Sequence, residues 1–104
     1  MPRADLLQTY FQLTREVLPG RAQREGWVVS ADHCFQRIIL DNVVGDAWRN
    51  RLTARTPAYR QLSDQQLTRA VELARQIEQE GDKLLRRLNQ NSLRWRGKLS
   101  VRPT

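Results

Sequence analysis

Ser63 and Gln66, three residues apart and followed by a long periodic run, constrain this chain more than any other feature. A serine hydroxyl at a helix N-cap accepts an orphan backbone N–H of the first turn, and a glutamine at the third position reaches back to the cap. Leu62 before the cap and Leu67 after it match a hydrophobic staple. From there Leu67, Ala70, Val71, Ala74, Ile77, Leu84, Leu85 and Leu88 step by three and four, with one wider gap across Gly81. At helical pitch these positions fall on one arc about 140° wide. The apolar phase crosses Gly81 without a slip, and Asp82 and Arg86 form an i,i+4 pair in the favourable order. The reading is therefore one unbroken helix from Ser63 that runs into a basic segment, Leu93-Arg94-Trp95-Arg96-Gly97-Lys98. At about 1.5 Å per residue such a helix spans more than roughly 40 Å. The competing reading, two helices jointed at Gly81, rests on the cost of glycine inside a helix, about 1 kcal/mol relative to alanine.

The remaining periodicities are also helical. Leu6, Leu7, Tyr10, Phe11, Thr14, Val17 and Leu18 predict a first helix over 2–18, closed by Pro19-Gly20. Residues 21–29 read as a polar connection whose Trp27 plugs the core. Ser30 or Asp32 is expected to cap a second helix over 31–44, with Ala31, Cys34, Phe35, Ile38, Ile39 and Val43 inward and Gly45 as its C-cap. Asp46 is expected to cap a short third helix over 47–54, with Trp48 and Leu52 inward. Thr56-Pro57 opens a turn leading to Leu62. The fold class is all-α: three shorter helices packed on one long C-terminal helix. Residues 1–98 are read as a single domain and 99–104 as a flexible C-terminal tail.

Charge narrows the function. Eighteen Lys and Arg face eleven Asp and Glu, a formal net charge of +7 at pH 7. Sixteen of the eighteen are arginine, whose planar fork suits phosphates, carboxylates and aromatic faces. The imbalance is concentrated at one end: residues 63–80 carry a net −2 and residues 81–104 a net +6. Acid near a helix start and base near its end suit the helix dipole, which accounts for part of this asymmetry but not for the cations beyond Asn91. The chain has no run of about eighteen apolar residues and no N-terminal apolar signal core, so the expectation is a cytoplasmic protein with no membrane partner. A single cysteine, Cys34, excludes an internal disulfide framework and offers no metal cluster.

Catalytic residue types meet only at Asp32-His33-Cys34. Neighbours in sequence diverge on a helix, and Cys34 falls on the core side, so no catalytic site is assigned there. Asp41 and Asp46 lack calcium-loop spacing and read as a helix-end residue and a cap. No phosphate-binding glycine loop or zinc-protease motif is present, and neither an enzyme nor a cofactor is indicated. The basic-aromatic stretches carry more. Arg49, Arg51, Arg55 and Arg60 with Trp48 form one. Arg86, Arg87, Arg94, Trp95, Arg96 and Lys98 form the other. Cations flanking an exposed ring are what backbone-plus-stacking recognition of nucleic acid requires, and Trp95, read as lying beyond the helix, is either such a ring or a C-terminal anchor folded back on the other helices. The expectation is a non-enzymatic nucleic-acid-associated protein using this Arg-rich face. The alternative is an interaction module that buries the apolar arc against a second copy or another protein.

Overall fold

The computed structural model describes residues 2–98, and every regular element among them is helical. The tail read at 99–104, with Arg102, lies outside the described residues. Helix α1 (Arg3–Gln12) passes through a widened π-turn (Leu13–Val17) directly into α2 (Leu18–Glu25). Helix α3 (Asp32–Val44) follows, then two 3₁₀ turns (Trp48–Asn50 and Ala58–Gln61), then α4 (Asp64–Glu80) and α5 (Asp82–Trp95). Helix α4 packs on α1 and α3, and α5 packs on α3 and α4. The core between them holds Tyr10, Leu18, Phe35, Ile38, Ile39, Leu67, Ile77 and Leu85, each no more than 1% exposed.

The start at Ser63 is as expected. Its hydroxyl accepts from the Gln66 N–H at 3.0 Å, and the Gln66 side chain accepts from the Ser63 N–H at 2.9 Å. Leu62 and Leu67 are both buried.

The unbroken long helix is not. Gly81 sits at φ 78°, ψ −149°, outside helical space, and divides the arc into α4 and α5. The apolar phase crosses Gly81 in the sequence because each helix buries its own apolar face, α4 against α1 and α3 and α5 against α3 and α4, not because the backbone is continuous. Trp27 packs at the joint: a side chain added at Gly81 would meet its indole at 3.8 Å. Trp27 is itself 8% exposed and lies edge-on to Phe35, so the expectation that it plugs the core is met.

The first helix does not end at Pro19. Proline has no N–H to give the carbonyl of residue 15, and its ring crowds that carbonyl. The chain answers with a π-turn, in which the Leu18 N–H bonds the Leu13 carbonyl five residues back. The helix resumes with Pro19 in its first turn and runs on until Gly26, which adopts the left-handed conformation at φ 69°. Residues 21–25, expected as a connection, are thus helical. Helix α3 begins after Ala31 without a side-chain cap, since Asp32 bonds only the adjacent His33 N–H. Its end at Gly45, φ 76°, is as expected. The third helix over 47–54 shrinks to Trp48–Asn50. Beyond it the Gln61 side chain holds the loop by bonds to the Thr53 N–H, the Thr53 carbonyl and the Thr56 carbonyl. Those contacts fix a non-helical path that local propensity does not specify.

Asp82 ties the joint to the loop before α3. Its carboxylate accepts from Arg86 and from the Val28 N–H at 2.8 Å, and the Arg86 bond is the larger cause holding it below the ordinary carboxylate range. A carboxylate with a lowered folded pKa adds stability that is complete above its unfolded value and lost as pH falls through the folded one. Asp82→Asn should therefore lower the melting temperature modestly at pH 7, with the difference from wild type closing below about pH 4. Melting curves across pH 3–7 check this; a difference independent of pH would rule the ion pair out as its source.

Candidate functional site: an arginine and aromatic pocket

Helices α3 and α5 meet across a polar seam inside an otherwise apolar interface. Asp41 is fully buried. One of its oxygens accepts from Ser92 Oγ and Arg96 Nε, each at 2.6 Å. The other accepts from the Trp48 N–H at 2.9 Å and from a terminal nitrogen of Arg96 at 3.0 Å. Arg37, one turn before Asp41, donates to Ser92 Oγ at 2.6 Å and to Asn89 at 2.9 Å. Asn42 donates to the Ile38 and Leu88 carbonyls and accepts from Asn91. Buried polar groups persist only when paired, and here both oxygens of the carboxylate are satisfied. The Asp41 bond is the largest cause raising the Arg96 pKa above its ordinary value, so that guanidinium stays charged.

Arg37 and Arg96 also line a cavity of about 400 Å³ beside this seam. Its walls are aromatic: Tyr10 and Phe11 from α1, Trp48, and Tyr59 from the second 3₁₀ turn. Phe11 stands edge-on to Tyr59 at 4.8 Å and to Tyr10 at 5.2 Å. Leu40, Pro57 and Ala58 add apolar surface. Two further arginines line it. Arg15 lies over the Phe11 ring at 3.9 Å, and Arg49 lies near the Trp48 ring at 5.6 Å. Neither is in an ion pair among the described residues. His33 and Gln36 complete the lining, which contains no carboxylate. The Tyr10 hydroxyl is buried with no hydrogen-bond partner among the described residues. Burial pushes its pKa upward, against the opposing pull of Arg15, so it remains a protonated donor. Such an arrangement attracts anions, presents flat surfaces and leaves one buried hydroxyl unsatisfied.

The cationic and aromatic positions singled out by sequence do not share one face. Arg49 is exposed and lines the pocket. Arg51 pairs with Asp46 at 3.5 Å, and Arg55 is exposed in the loop held by Gln61. Arg86 pairs with Asp82. Arg87 and Arg94 are exposed on α5, and Lys98 is exposed just past it. Trp95 is the last residue of α5, not beyond the helix, and is half-buried. Arg96 is 17% exposed and committed to Asp41, an internal partner that sequence reading did not identify. Sequence reading also missed Arg15, Arg37, Tyr10 and Tyr59 as site residues. A signal existed for the seam: Asn89, Ser92 and Arg96 recur at i, i+3 and i+7 within the apolar side of α5, and Arg37 and Asp41 at i, i+4 on α3. Cys34 is half-buried and His33 exposed, with no hydrogen bond between them.

No group of three or more metal-ligating side chains occurs among the described residues, and no helix there is long and apolar enough to cross a membrane. Comparison with protein-family models, with curated proteins and with solved structures found no match.

Proposed function

We propose that this is a small non-enzymatic nucleic-acid-associated protein that binds phosphate backbone through the outer face of α5. The observation that carries the reading is a cationic stripe. Lys83, Arg87 and Arg94 are exposed, follow the helical spacing i, i+4 and i+11, and take part in no ion pair among the described residues. They run along about 16 Å of one helix face. Lys98 continues the positive surface beyond the helix. The opposite face of α5 is held in the core by Leu84, Leu85 and Leu88, so the stripe is fixed on a rigid support.

The interaction-module reading requires an apolar arc that the shorter helices leave uncovered. That arc is buried within the single chain, and Val28 is the one large hydrophobic side chain strongly exposed among the described residues. No specific observation favours that reading over phosphate binding.

Each phosphate neutralised contributes nearly one unit to the slope of log affinity against log salt. Replacing Lys83, Arg87 and Arg94 together by alanine should flatten that slope by about two to three units and weaken binding to every sequence alike. Titration of single- and double-stranded oligonucleotides at two salt concentrations measures it. An absence of binding by the unaltered chain at low salt would reject the reading.

A further inference from the structure

We infer that the pocket between α1, α3 and the two 3₁₀ turns is a binding site for a nucleotide, a flat ring joined to a phosphate. Two independent features converge on that chemistry. Three arginines of the lining, Arg15, Arg37 and Arg49, have no acidic partner among the described residues, while the charge of the fourth, Arg96, is balanced by Asp41. Arg37 is held rigidly by the neutral Ser92 and Asn89, so its charge is preorganised and costs no ordering when an anion arrives. Arg15 and Arg49 are the adjustable members, exposed and without an acidic partner among the described residues.

The second feature is the flat surface. The Arg15 guanidinium lies over the Phe11 ring at 3.9 Å, and Trp48 stands with Arg49. Bases stack on aromatic rings and on guanidinium planes alike, and a guanidinium stacked on a ring still presents its in-plane N–H groups to a phosphate. The volume, about 400 Å³, lies in the range of small-ligand clefts.

The same chemistry has two sources, a free nucleotide or one unstacked nucleotide of a bound strand; only the second rests on the phosphate-binding reading of α5. The full chain is titrated by calorimetry with adenosine and uridine 5′-monophosphates, with the parent nucleosides and with inorganic phosphate. Saturable 1:1 binding of a monophosphate, at least tenfold tighter than its nucleoside or phosphate alone, is expected. Arg15→Gln and Arg49→Gln, both at exposed positions, should each weaken it about tenfold, whereas Arg87→Ala with Arg94→Ala should leave it unchanged. If a single-stranded oligonucleotide displaces the monophosphate and loses affinity in the two glutamine variants, the strand is the source. If oligonucleotides bind without displacing it, or do not bind, the free nucleotide is the source; in the latter case the α5 reading fails while the pocket stands. Monophosphate binding no tighter than that of phosphate, or unaffected by both glutamine variants, overturns the inference.

Discussion

Asp41→Ala should cost about 3–5 kcal/mol of folding stability, the largest single-residue effect expected in this chain apart from core truncations. The carboxylate is fully buried and receives four hydrogen bonds. Its removal leaves the largely buried Arg96 guanidinium without its counter-charge, together with Ser92 Oγ and the Trp48 N–H without their acceptor. The loss is dominated by those stranded partners rather than by the net worth of the pair, since desolvation offsets much of the Coulomb attraction in a buried ion pair. Two consequences separate this account from a simple packing defect. Asp41→Asn keeps an acceptor for the Trp48 N–H and should cost less than Asp41→Ala. Removing both charges, Asp41→Leu with Arg96→Met, should be less destabilising than Asp41→Ala alone, because no buried charge is left unpaired. Urea unfolding provides the measurement, with the midpoint falling and the slope m unchanged. A loss below about 1 kcal/mol for Asp41→Ala, the range of exposed ion pairs, would mean that water reaches the seam and that it does not behave as a buried network.

The second large effect is at the joint between α4 and α5. Gly81→Ala should destabilise by about 1–3 kcal/mol, although alanine is the better helix former. At φ 78°, ψ −149° the backbone occupies a region that is essentially reserved for glycine. Space is not the obstacle, because the nearest atom to an added Cβ is the Trp27 ring at 3.8 Å, an ordinary contact. The cost therefore comes from the backbone, and alanine can relieve it only by straightening the joint. Straightening would redirect α5 away from α3 and pull Asp41 from Ser92 and Arg96. A denaturation series on Gly81→Ala decides between the two geometries: stabilisation would mean that α4 and α5 form one continuous helix.

The Arg96 ion pair also reassigns a residue that basic composition alone would place on a nucleic-acid surface. A variant that removes Arg96 tests folding before it tests binding. For that reason Lys83, Arg87 and Arg94 carry the salt-dependence experiment, and Arg15 and Arg49 carry the nucleotide experiment.

What the sequence by itself determined was local or periodic. The Ser63–Gln66 cap, the Asp82–Arg86 pair and the left-handed stop at Gly45 each involve residues a few positions apart, so their physics is complete within one turn. The inward faces of α1, α3, α4 and α5 follow from 3.6-residue periodicity, and with them the all-α class. Three features were decided only by tertiary structure. Pro19 reads as a helix stop, but packing of the helix on both of its sides makes a π-turn cheaper than a break. Gly81 reads as an interruption tolerated by phase, but Trp27 and the Asp82 tie to Val28 favour a sharp joint that lets α4 and α5 serve different neighbours. The pocket joins α1, α3, the segment 48–59 and the residue after α5, and the seam pairs Asp41 with Arg96, fifty-five positions apart. Nothing local distinguishes those arginines from the solvated ones, because a guanidinium acquires its role from the carboxylate, ring or cavity that folding brings to it.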